Sequence, residues 1–186
     1  MRNSKTKPLC VAEMSTDQWP LAYLITFSCY GSHLHGDDTG SVDRQHNEYD
    51  LSFLPPDPKR HQTMRARMKC SPYLMNQPRR PTVLAAIKGI CLKHGWGLLA
   101  AHVRTTHVHV VVEACTDPEI VLNSFKSHSS HELNQINIDQ NPVRRWIRHG
   151  STKYLWTVES VESAVEYVLF KQGPPMEIYQ PNARKR

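Results

Sequence analysis

RTTHVHVVVEA, residues 104–114, sets His107 and His109 one residue apart inside a run of valines. Side chains alternate along a β-strand, so the two imidazoles share one face while Val108 and Val110 take the other. The preceding run, GLLAAHVR at residues 97–104, is also apolar, and Thr105 and Thr106 alone separate it from the histidine run. That spacing predicts a tight β-hairpin. A hairpin with a valine face needs a larger antiparallel sheet around it and a cover over that face.

The neighbouring segments supply both. In PTVLAAIKGICLKHGWG, residues 81–97, Val83, Leu84, Ile87, Ile90 and Cys91 recur at helical spacing. Thr82 can cap the helix and Gly95 can stop it. Asp117 followed by Pro118 is a helix start, and IVLNSFKSHSSHELNQ continues it at a period of 3.6. YLITFSCY, residues 23–30, is β-branched and aromatic and ends at Gly31, as a strand does. A further strand is expected within PVRRWIRHGSTKYLW, residues 142–156. A last helix runs from Val158 to Lys171, where Gly173, Pro174 and Pro175 end it. The order predicts an α+β fold with helices on one face of an antiparallel sheet.

A chain of 186 residues suffices for one domain. Residues 1–19 read as a polar tail, 20–178 as the domain and 179–186 as a basic tail. Within the domain, residues 31–80 lose all periodicity to glycine, proline and charge, and so read as a long insertion of the kind that binds something. A short helix is expected in it around QTMRARMKC.

Lys plus Arg number 23 against 17 Asp plus Glu, and no acid occurs between Asp57 and Glu113, where ten cations fall. Such a one-signed stretch attracts phosphate or simply solvates a surface. Five dispersed cysteines without a CxxC pair fit a reduced, cytoplasmic compartment. No stretch approaches a membrane span, and no apolar run follows the N-terminal cations.

Two imidazoles at this spacing can converge on one divalent ion, although an isolated pair more often covers a sheet face. His102 on the preceding strand and Arg104 before the turn add an imidazole and a cation to the same hairpin. A histidine pair around a bulky apolar residue, followed by apolar strand and an acid, resembles the HUH endonucleases. YLITFSCYGSHLHGDDTGSVDR, RRPTVLAAIKGICLKHGWGLLAAHVRTTHVHVVVE and RRWIRHGSTKYLWTVESVESAVEYVLFKQG together resemble single-tyrosine HUH transposases of the insertion-sequence type, above all the REP-associated tyrosine transposases.

The resemblance implies a ferredoxin-like sheet and a metal-dependent endonuclease and strand transferase acting on single-stranded or hairpin DNA. It implies a helical tyrosine nucleophile, and Tyr167 is the one tyrosine of the last helix. A phenol is a poor nucleophile at neutral pH without a metal or base beside it. Mg²⁺ or Mn²⁺ is implied at His107 and His109. Relatives often carry an amide ligand four residues after the tyrosine; here that position is Lys171, and Gln172 follows it. Gln172 is therefore the expected third ligand, with Lys171 left to contact phosphate.

Cations interleaved with aromatics suit a single strand, whose phosphates and bases they engage respectively. The candidates are Arg144, Arg145, Arg148 and Lys153, with Trp146 and Tyr154, then Arg79, Arg80 and Arg104. Trp156 is expected in the core, and His128 with His131 on a polar helix face. The competing reading is a DNA-binding protein that keeps this fold without catalysis, which the lysine at position 171 would favour. Monomer and homodimer both remain open, because some relatives share active sites between two chains.

Overall fold

The computed structural model describes residues 19–32, 34, 57–139 and 143–181. The expected N-terminal tail up to residue 18, the insertion at residues 33 and 35–56, and the last five residues lie outside the described residues. The described chain runs β1 (Ala22–Ser28), α1 (Pro58–Ala66), α2 (Arg79–His94), β2 (Gly97–Val103), β3 (His107–Glu113), α3 (Pro118–Gln135), β4 (Ser151–Leu155), α4 (Val158–Phe170) and β5 (Glu177–Tyr179). The strands form one sheet in the order β4-β1-β3-β2-β5 with every pairing antiparallel. The α+β class and the antiparallel sheet are those the sequence predicts. No helix among the described residues is long and apolar enough to cross a membrane.

The pattern of valines sets the layers. Val108, Val110 and Val112 join Ile25 and Phe27 of β1 in the main core, covered by Val83 and Ile87 of α2 and Val121, Leu122 and Phe125 of α3. This is the expected helix-covered face. The opposite face is covered too: Val111, Ala22 and Ala100 meet Ala164, Val168 and Leu169 of α4 in a second, smaller cluster. An apolar stripe tells that a helix docks, not on which side of a sheet. That choice matters because His107 and His109 have the parity of Val111.

Local chemistry explains most boundaries. Asp57, Asp117 and Thr157 cap α1, α3 and α4 through their side chains, and Gly95 ends α2 with φ of 69°. α2 begins at Arg79, three residues before the expected cap; Thr82 bonds back to the Pro78 carbonyl instead. Pro81 is tolerated because a helix's first turn needs no amide donors. β5 carries too few residues to show a period, and no strand is read from its sequence. It extends the sheet through Tyr179, one residue into the expected tail.

Candidate active site

Of the residues singled out by sequence, His107, His109, Tyr167 and Gln172 meet where α4 crosses β3. The His107 and His109 rings stand edge to face with centroids 4.8 Å apart. His109 is 6% exposed, and its Nδ1 is hydrogen-bonded with Oγ1 of Thr26, its cross-strand neighbour on β1, at 2.8 Å. His107 Nδ1 lies 3.0 Å from Thr106 Oγ1. Hydroxyl contacts of this kind fix imidazole orientation. Burial, followed by repulsion from His107 and His102, pushes the His109 pKa down to about 4, although the Gln172 carboxamide hydrogen-bonds the ring and opposes the shift. His109 is therefore a neutral imidazole at ordinary pH, the form that ligates metals.

Tyr167 reaches the pair within the same chain. Its ring meets that of His109 edge to face at 5.6 Å while remaining 40% exposed. The helix stops at Phe170, and Lys171 adopts φ −104° and ψ 17°. The Tyr167 carbonyl then receives two donors, the Lys171 amide at 3.1 Å and Gln172 Nε2 at 3.3 Å. Leaving the helix at residue 171 absorbs the one-residue offset that the sequence showed: Gln172 folds back toward His109, while Lys171 turns outward to an exposed ion pair with Glu166.

Two imidazoles and a carboxamide make a donor set that a divalent cation accepts, with the hydroxyls of Thr26 and Thr106 behind the rings. No group of three His, Cys, Asp or Glu side chains able to hold a metal occurs among the described residues. Beside the histidine pair the end of α4 presents the Gln172 carboxamide. His102 does not join them, since both its nitrogens are engaged elsewhere. His128 and His131 stack on each other on α3, across the sheet from this site.

The cations divide into two groups. Arg79 and Arg145 both grip the Asp139 carboxylate, which is 3% exposed and also accepts from Tyr73. Arg80 donates to the Met75 carbonyl and Arg104 to that of Pro174. Arg144 lies over the Tyr30 ring at 4.9 Å, and Arg148 and Lys153 are exposed. Lys153 pairs with Leu24 in the sheet and so lies on the histidine face.

The aromatics also divide, and one expectation is corrected. Trp146 packs on Phe27 and Tyr73 and donates its indole N–H to Ser130. Trp156, expected in the core, is 57% exposed and stacks on Tyr154; it follows β4, which is an edge strand with no neighbour beyond it among the described residues.

Three contributors escape a sequence reading. Thr26 gives no signal among the apolar residues of β1. Asp139 meets its partner Arg79 across 60 positions. Lys126 does interrupt the apolar stripe of α3 between Leu122 and Leu133, and that was a signal: its ammonium is buried and donates to the carbonyls of Ile147, Arg148 and His149.

A family description reading "Transposase IS200 like" matches residues 63–168, more than half of the chain. The chain belongs to the IS200-like transposase family. The stretch common to these transposases includes His107, His109 and Tyr167 and ends before Gln172. No curated protein matches the chain. Among solved structures, a REP-associated tyrosine transposase bound to a REP hairpin is similar over 81% of this chain, with 10% identity and a TM-score of 0.45. The chain covers 65% of that protein's length.

Proposed function

We propose that this IS200-like transposase cleaves and rejoins single-stranded, hairpin-containing DNA through a 5′-phosphotyrosyl intermediate on Tyr167. The observation that carries the reading is the approach of Tyr167 to His109 inside one chain. The Tyr167 oxygen attacks the scissile phosphorus; a new oxygen–phosphorus bond forms to the 5′ side, and the bond to the 3′ oxygen breaks. That oxygen takes up a proton and leaves as a 3′-hydroxyl. Because one phosphodiester replaces another, a later 3′-hydroxyl can reverse the step and join a new strand without ATP.

His107, His109 and Gln172 would hold a divalent ion, Mg²⁺ or Mn²⁺, which when bound offsets charge on the phosphate oxygens. Thr26 keeps the His109 ring in register, and Gln172 ties that ring to the end of α4. The exposure of Tyr167 leaves room for a strand to reach the phenol. Arg144, Arg148 and Lys153 serve as phosphate contacts, whereas Arg79 and Arg145 act on Asp139 and shape the surface from beneath. The reading without catalysis rests on the lysine at position 171; the hydrogen bond between Gln172 and the His109 ring favours the catalytic one.

The test is incubation of the protein with a hairpin-bearing single strand and Mg²⁺ or Mn²⁺. Wild type is expected to form a covalent adduct that survives denaturation, and Tyr167→Phe none. An equal adduct from both proteins, or none from wild type, overturns the proposal.

A further inference from the structure

His102 is fully buried and faces His109 directly across the β2–β3 ladder, on the side covered by α4. The Met176 amide donates to its Nε2 at 3.2 Å, and Arg104 Nη1 approaches the same nitrogen at 3.5 Å. A backbone amide can only donate, so Nε2 is the acceptor, and the remaining nitrogen of a neutral ring carries the proton. That nitrogen, Nδ1, lies 3.0 Å from the Val168 carbonyl and donates to it. Burial, the largest influence on the ring, lowers its pKa and agrees with a neutral imidazole.

Val168 follows the nucleophile. Its carbonyl lies in the last turn of α4, where carbonyls have no amide partner within the helix. His102 thus caps the helix one residue past Tyr167, while its other nitrogen anchors the chain at Met176. Gln172 lies between the two anchors. Arg104 adds another tie with a bond of 3.0 Å to the Pro174 carbonyl. The end of α4 and the segment after it are in this way fastened to the same hairpin that bears His107 and His109.

The buried side chains of α4 are Ala164, Val168 and Leu169, with Val161 and Val165 partly buried beside them; apolar burial selects the helix face but is non-directional. A directed hydrogen bond at the helix end sets the axial position.

We propose that His102 is a positioning residue that fixes Tyr167 and Gln172 against the His107–His109 pair. The chemistry it serves rests on the strand-transfer reading above; the geometry rests on the bonds to Val168 and Met176. His102 binds neither metal nor DNA.

The test compares His102→Leu, His102→Asn and His102→Gln in the full chain. Asparagine can keep a donor where Nδ1 stands, and glutamine an acceptor where Nε2 stands. His102→Leu is expected to slow single-turnover adduct formation on the order of 10- to 100-fold. Its affinity for the same hairpin, measured with Tyr167→Phe as background, should stay within about twofold, because the exposed cations lie elsewhere. Amide exchange should accelerate at Met176 and Lys171, and His102→Asn should recover more rate than His102→Gln.

A folded His102→Leu protein that reacts at the wild-type rate overturns the inference. So does a parallel fall of binding and rate with the folded fraction, which marks a purely structural role. If His102→Leu does not fold, a glutamine variant at least as fast as the asparagine variant overturns it. Absence of an adduct in wild type would instead sink the strand-transfer reading. The exchange comparison then still decides the positioning claim, since unchanged protection at Met176 and Lys171 in a folded variant contradicts it.

Discussion

Asp139→Asn is the substitution whose cost can be worked most directly from the structure. Oδ1 accepts from Arg79 Nε at 3.0 Å and Nη2 at 2.8 Å, while Oδ2 accepts from Arg145 Nε at 2.8 Å and the Tyr73 hydroxyl at 2.9 Å. The carboxylate is 3% exposed and the two guanidinium side chains 19% and 9%. Asparagine keeps the shape, removes the charge and turns an N–H₂ toward one of the guanidiniums. Breaking a buried ion-paired cluster from one side costs about 3–5 kcal/mol. For a domain of this size each kcal/mol moves Tm by roughly 2–4 °C, so a fall of about 6–20 °C is expected.

The pH dependence follows from the direction of the Asp139 shift. Burial pushes its pKa up, but hydrogen bonds from Arg79, Arg145 and Tyr73 outweigh burial and hold it below the ordinary 3.8. A depressed carboxyl stabilises the fold fully above its unfolded pKa, and the contribution disappears as pH falls through the folded value. Thermal unfolding followed by circular dichroism should therefore show a wide gap between wild type and Asp139→Asn near neutral pH, narrowing below about pH 4. A fall in Tm of under about 2 °C, or a gap that does not change with pH, would refute the reasoning.

Other substitutions separate neighbouring roles. Gln172→Ala should lower the adduct-forming rate on the order of 10- to 100-fold, whereas Lys171→Ala, which loses an exposed ion pair with Glu166, should leave rate and Tm nearly unchanged; single-turnover kinetics on both variants reads the contrast, and the reverse ranking would contradict Gln172 as the third donor and point to Lys171 as a phosphate contact. Gly150→Ala would place a methyl 2.6 Å from the Thr26 carbonyl and 3.0 Å from the Leu122 methyls, costing about 1–3 kcal/mol; denaturant unfolding should show it, and an unchanged midpoint would contradict it. Lys126→Met leaves the Ile147, Arg148 and His149 carbonyls without their ammonium donor, so stability should fall by about 1–3 kcal/mol. Hairpin binding by fluorescence anisotropy should weaken with it, since the released loop bears Arg148, and unaltered affinity would count against that loop as a contact surface.

Much of the fold was legible because periodicity reports burial. The valine alternation of β3 and the helical spacing of α2 and α3 each require the main core. The side of the sheet taken by α4 was not legible, since its apolar stripe fits either face, yet that side brings Tyr167 to His109. The histidine pair and Tyr167 could be named as residue types in order along the chain. What each cation does could not: Arg79 and Arg145 look like phosphate contacts until Asp139, distant in sequence, comes between them. From sequence His102 was one more imidazole on the hairpin, and only its buried hydrogen bonds show that both nitrogens serve the backbone. Trp156 looked like core, but it follows an edge strand and is 57% exposed among the described residues.

The central claim is that Tyr167 is the residue that takes the DNA. Its most direct test is to trap wild type on a hairpin-bearing strand with Mn²⁺, digest protein and DNA, and map the remaining nucleotide by mass spectrometry. A 5′-linked nucleotide on the peptide containing Tyr167 is the predicted result; a nucleotide on any other residue, or an unmodified Tyr167 in protein that has cleaved the strand, would contradict it.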